Sequence, residues 1–131
     1  MTVALIKKSD YPNAIEAAIE MCDGFNQLKP EHKVLIKPNL VIGGRRGIFP
    51  PFGRVTTSDL MEKLVQLLID KGCRDITIGE GTGLVKELDS DTSSAFKFAG
   101  MDRVAKQYGI KLIDFEPGPF ERVEMDGRKF S

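Results

Sequence analysis

The sequence predicts an α/β domain in three layers: a mainly parallel sheet of about four strands, helices on both faces, and a C-terminal β-hairpin. Three observations predict it. Short β-branched runs alternate with segments of helical periodicity, an order that implies right-handed crossovers between parallel strands. The chain has 131 residues, the size of one ordinary domain, and such a chain buries roughly two-thirds of its unfolded surface without metals or disulfides. Near the end, Asp126-Gly127 separates two short strand-like runs, at 122–125 and 128–130, and is a hairpin signal.

Taken in order, residues 3–6 form a short apolar run that reads as the first strand. Ser9 or Asp10 then suits a helix cap and Pro12 a first turn, and Ile15, Ala18, Ile19 and Cys22 recur at helical spacing up to Gly24. Val34-Leu35-Ile36 is a β-branched run that stops at Lys37-Pro38-Asn39, where the proline has no donor for a ladder. The next helix is the clearest element. Thr57 or Ser58 caps it, Leu60, Met61, Leu64, Val65, Leu67 and Leu68 make a wide apolar stripe, and Lys71-Gly72 ends it. Ile76-Thr77-Ile78 is the third strand. Residues 92–108 read as helix in two pieces broken at Gly100, with Val104, Ala105 and Tyr108 facing inward. Lys111-Leu112-Ile113 is the fourth strand. Residues 1–131 thus form one domain.

Composition excludes several classes. Hydrophobic residues at 41% and charged residues at 29% fit neither a disordered chain nor a membrane protein. Nineteen basic and 19 acidic residues give a net charge of zero, without the surplus a general nucleic-acid binder needs to displace counterions. Cys22 and Cys73 stand 51 positions apart, so there is no CxxC pair, and with a single His the chain assembles no Cys/His zinc site. Free thiols, no signal peptide and no apolar run long enough for a span make a reducing cytoplasm the expected compartment.

In an open parallel sheet, ligands bind beyond the carboxyl ends of the strands. Three such ends are polar here: Lys37-Pro38-Asn39, Gly79-Glu80-Gly81-Thr82-Gly83 and Asp114-Phe115-Glu116. The topology places all three on one rim. Between Pro38 and the long helix runs a segment with Gly43, Gly44, Gly47 and Gly53, adjacent Pro50 and Pro51, and Arg45, Arg46 and Arg54. A loop of that length in a compact domain is commonly functional or simply mobile. Arg45 and Arg46 suit closure over an anion, because guanidinium forks match carboxylate and phosphate. Thr56 and Thr57 open a helix whose unpaired amides favour an anion, although capping alone explains Thr57. Lys37 suits an anion clamp, a base or a Schiff-base amine; a snorkelling surface lysine is the plainer reading. The glycine-rich exit resembles a phosphate-cradling turn, but Leu84 stands where the dinucleotide fingerprint wants glycine, so a tight turn is the plainer reading there. Glu80, Gly81 and Thr82 within it are the candidate contacts, Glu80 as a base or a metal ligand. His32 precedes a strand, away from the rim, and reads as an exposed loop residue.

These residues also carry a resemblance. Lys33-Val34-Leu35-Ile36-Lys37-Pro38-Asn39-Leu40, then Val55-Thr56-Thr57, then Gly72-Cys73-Arg74-Asp75-Ile76-Thr77-Ile78-Gly79-Glu80-Gly81 strongly resemble the domain of unknown function 362 family. The pattern continues through Ala99-Gly100-Met101 and the run from Tyr108 to Asp114. It covers nearly the whole chain, but only the N-terminal part of the usual family domain. The chain departs from it at Ser58-Asp59, where members often show His-Pro. The resemblance implies an association with iron–sulfur proteins, since some members carry a ferredoxin-like segment with two four-iron clusters. This chain has no such segment, so no cofactor is expected in it.

Two function classes follow. The preferred one is a domain, or half of an enzyme, that holds a small anionic ligand through Lys37, Asn39, Arg45, Arg46, Thr56, Thr57, Glu80, Gly81 and Thr82. The rival is an accessory module that docks to a redox partner and has no chemistry of its own. The short second arm of the hairpin further predicts a homo-oligomer or a missing C-terminal portion. Neither nucleic acid nor membrane is expected as a partner.

Overall fold

The computed structural model describes residues 3–7, 13–40, 55–82 and 91–124. The elements run α1 (Ala14–Met21), β1 (Lys33–Ile36), α2 (Ser58–Asp70), β2 (Asp75–Glu80), α3 (Thr92–Ala99), α4 (Met101–Tyr108) and β3 (Lys111–Asp114). The three strands form one open sheet in the order β1-β2-β3, and both pairings are parallel. The α/β class and the parallel neighbours expected from the alternation are therefore present.

Register explains the shape of the rim. β1 pairs with residues 75–78 of β2, whereas β3 pairs with residues 77–80. The flanking strands are thus offset by two residues, a step of roughly 6–7 Å at about 3.3 Å per residue. β1 ends low and β3 ends high, with Gly79 and Glu80 rising between them.

One face of the sheet carries the core. Ile36, Ile78 and Leu112 pack with Met61 and Val65 of α2, Ala95, Phe96 and Ala99 of α3, and Met101 and Val104 of α4. A second cluster joins Val34 and Ile76 to Leu64 and Leu68 of α2, with Phe25, Leu28 and buried Cys73. The alternation of strand side chains sends Leu35 and Ile113 to the other face, where they are 58% and 43% exposed. Both clusters lie on one side and α1 packs against α2. Among the described residues, then, helices cover a single face of the sheet.

Of the expected three layers, about four strands and hairpin, the described residues contain three strands and one helical layer. Residues 3–7 are not a strand: Val3 and Leu5 are 86% and 98% exposed, and an apolar run without a neighbouring edge has no ladder to join. The expected first hairpin arm is not a strand at residues 122–124 either, and Asp126-Gly127 with the second arm lies outside the described residues. Helix α1 starts after Pro12, with Asn13 at its N-cap, so neither Ser9 nor Asp10 caps it. Among the described residues no helix is long and apolar enough to cross a membrane.

Helix ends agree with the local sequence. Thr57 caps α2, its Oγ1 accepting the Leu60 N–H at 3.5 Å. At the other end Gly72 has φ +94°, its N–H donates to Ile69 O at 2.8 Å, and the Cys73 N–H donates to Leu68 O at 3.1 Å. That double bond pattern needs a left-handed residue, and a Cβ at Gly72 would also crowd Pro30. Gly100, at φ +73°, ends α3 and begins α4, as the break in the helical pattern predicts.

Candidate functional site

The stepped rim brings Lys37 and Glu80 together. Lys37 follows the last residue of β1, and Glu80 ends β2 two positions above the β1 ladder. Only a long side chain spans that step, and Lys37 does: its Nζ lies 2.9 Å from Oε1 and 3.0 Å from Oε2 of Glu80. The Glu80 side chain is 5% exposed and that of Lys37 63%. A carboxylate buried so deeply needs a counter-charge and donors. Glu80 has Lys37 and, through Oε1, the Gly81 N–H at 2.9 Å. The ammonium is therefore anchored from below while facing outward. With three N–H groups directed from a single nitrogen, it keeps donor capacity for something above it.

Next to this pair the third strand turns away. The Glu80 carbonyl accepts the Phe115 N–H at 2.9 Å, and Asp114 Oδ1 accepts the Glu116 N–H at 2.9 Å. The Phe115 ring lies over Gly79, where any Cβ would overlap it. Lys37, Glu80, Gly81, Phe115, Glu116 and Phe120 line an open cleft of about 560 Å³.

Asn39 and Thr56 form a second device. The Asn39 N–H donates to Thr56 Oγ1 and the Thr56 N–H donates to Asn39 O, each at 2.9 Å. This reciprocal pair fastens the exit of β1 to the approach of α2. Leu40, 1% exposed, anchors the same stretch in the core.

Several amides expected to contact a ligand are already engaged. The Gly81 N–H is held by the Glu80 carboxylate, the Thr82 N–H by Thr92 Oγ1 at 3.2 Å, and the Thr56 N–H by Asn39. The turn after β2 stabilises its own carboxylate instead of presenting a ring of free donors. Thr82 Oγ1 is buried and has no hydrogen-bond partner among the described residues. Thr57 acts as the α2 cap. Arg45 and Arg46 lie outside the described residues. His32 is exposed, as expected, and its Nδ1 accepts the Lys29 N–H at 3.3 Å.

Sequence reasoning named the Asp114-Phe115-Glu116 strand end but did not single out Phe115, Glu116 or Phe120 as site residues. The first two follow from that strand end. Phe120 carries no sequence signal, because its place depends on how residues 116–119 turn.

The chain's only two cysteines do not fit a four-thiolate cluster. Cys22 caps α1 with its Sγ 3.0 Å from Ala18 O, and Cys73 is buried after α2. Among the described residues no group of three or more His, Cys, Asp or Glu side chains is arranged to hold a metal ion.

The model of one family, the domain of unknown function DUF362, matches residues 34–131. The chain belongs to the DUF362 family. The match begins at β1 and includes every element that builds the rim, with Lys37, Glu80, Phe115 and Glu116 among the matched residues. No curated protein and no solved structure matches the chain.

Proposed function

We propose that this DUF362 domain binds a small ligand with an anionic group at the carboxyl rim of its sheet. One observation carries the reading: an outward-facing Lys37 ammonium is fixed by a buried carboxylate at the floor of an open cleft. A lysine that merely snorkels needs no such anchor. Asn39, Thr56 and Thr57 act at the margin, where they hold the strand exit and the helix start in place. Gly81 and Thr82 shape the wall beside Glu80. Arg45 and Arg46, the arginines that the sequence suggests would close over an anion, lie outside the described residues, and this reading assigns them no contact. Two free thiols, Cys22 and Cys73, suit the reducing cytoplasm in which this reading places the domain.

The test is a titration of ¹⁵N-labelled protein with 3-phenylpropionate and with inorganic phosphate. Saturable amide shifts at residues 37, 80–82, 115, 116, 118 and 120 that disappear in Lys37→Met support the reading. Shifts that persist in that variant, or no shifts at all, sink it.

A second reading has its own observation. Leu35 and Ile113 present apolar side chains on the face of the sheet that the described helices leave open. Parallel sheets are ordinarily buried on both faces. An accessory module that docks to a redox partner, or a homo-oligomer, would use that face. Light scattering of the wild type and of Leu35→Lys/Ile113→Lys separates the two, because only an assembly through this face dissociates in the variant.

A further inference from the structure

Charge at the rim narrows the ligand class, on the reading that the cleft binds an anionic group through Lys37. Among the described residues the lining holds one cation, Lys37, and two carboxylates, Glu80 and Glu116. They are not equivalent. Both oxygens of Glu80 are engaged by Lys37, and Oε1 also accepts the Gly81 N–H. Glu116 is bound only through its main chain, by the donation of its N–H to Asp114; its carboxylate has no hydrogen-bond or ion-pair partner among the described residues. The ammonium and the Glu80 carboxylate cancel each other, and Glu116 leaves the described lining one negative charge in excess. A ligand that is only an anion meets Lys37 at the expense of repulsion from Glu116. A ligand that carries a cationic group beside its anionic one satisfies both.

The walls add an apolar requirement. Phe115 is fixed on Gly79. Phe120 is 77% exposed and stands in the same cleft. An aromatic ring left this exposed beside opposed charges suits an apolar body between them.

We infer that the rim cleft is a site for a zwitterionic small molecule with an apolar side group, its carboxylate on Lys37, its ammonium on Glu116 and its side group against Phe120. Glu80 is a positioning residue, holding Lys37 upright without touching the ligand.

Three probes with one aromatic body and different charges test this: L-phenylalanine, 3-phenylpropionate and 2-phenylethylamine, titrated into the full chain and followed by amide shifts at residues 37, 80–82, 115, 116, 118 and 120. Phenylalanine is expected to bind about fivefold tighter than phenylpropionate, the upper range for a partly exposed ion pair. Glu116→Gln, a substitution at a half-buried surface carboxylate, should erase that difference and leave phenylpropionate binding as tight or tighter. Phenylpropionate binding as well as phenylalanine to the wild type overturns the zwitterion inference while the anion reading stands. Phenylethylamine binding best, or a preference that survives Glu116→Gln, also overturns it. If none of the three binds, both readings fall.

Discussion

The ring of Phe115 occupies the space that a side chain on Gly79 would need, and Leu35 Cδ1 closes the same position from the neighbouring strand. Gly79 is buried in the central strand, so its lack of a Cβ is what lets the chain after β3 fold back across the sheet. Gly79→Ala should therefore destabilise the domain by about 1–3 kcal/mol, as overpacking does. Adding Phe115→Ala should recover part of the loss. Urea unfolding of both variants is the check, and a Gly79→Ala midpoint equal to that of the wild type would contradict the close approach.

Lys37→Met leaves the Glu80 carboxylate buried with, among the described residues, only the Gly81 N–H as partner. Removing one member of a fully buried pair costs several kcal/mol; because Lys37 is mostly exposed, about 1–2 kcal/mol is expected here. Lys37→Met/Glu80→Gln should be more stable than Lys37→Met alone. A double-mutant cycle from denaturant midpoints measures this, and a coupling near zero would mean that the two groups do not depend on each other.

Thr56→Val keeps the shape of the side chain but removes the acceptor for the Asn39 N–H. The expected loss is about 1 kcal/mol, whereas Thr56→Ser should stay within about 0.5 kcal/mol of the wild type. Proteolysis should cut the segment between residues 40 and 55 faster in the valine variant. Equal cutting rates would remove the clasp from the account.

At the start of α3, the Ser94 backbone N–H, 2.6 Å from Asp91 Oδ1, and the Ser94 side chain hold the Asp91 carboxyl below its ordinary value of 3.8. The unfolded chain therefore takes up this proton first as pH falls. The contribution to stability is complete above the ordinary value and is lost as pH drops through the lowered folded one. Asp91→Asn should flatten the fall in melting temperature below about pH 4. An acid limb as steep as that of the wild type would show that Asp91 does not titrate with folding.

The three strands of the sheet were legible because each is a short apolar run next to a segment of helical periodicity, and Gly100 and Gly72 marked helix ends where left-handed residues are required. Their parallel order put Lys37, Glu80 and Asp114 on one rim before any coordinates. Residues 3–6 misled for a physical reason: an apolar run reads the same whether or not an edge is available to pair with it. The fate of the amides was also out of reach. Gly79-Glu80-Gly81 looks like a donor-rich turn, and nothing in its spelling says that the Glu80 carboxylate folds back on the Gly81 N–H. Glu116 was named within its strand end but not singled out, because a carboxylate without a partner among the described residues is a property of the surroundings and not of the motif.

The two-residue stagger of β1 against β3 has a consequence for folding errors. A slip of β1 by one position would turn Leu35 toward the helices and Val34 and Ile36 toward solvent. A slip toward the start of β2 would also carry Lys37 roughly 3.3 Å further from Glu80 along that strand. The ion pair thus works as a one-sided ruler: it opens when the strand is laid down a notch too low. A chain caught in the wrong notch would carry a buried, uncompensated carboxylate, so the charge that equips the rim also marks misaligned molecules for unfolding.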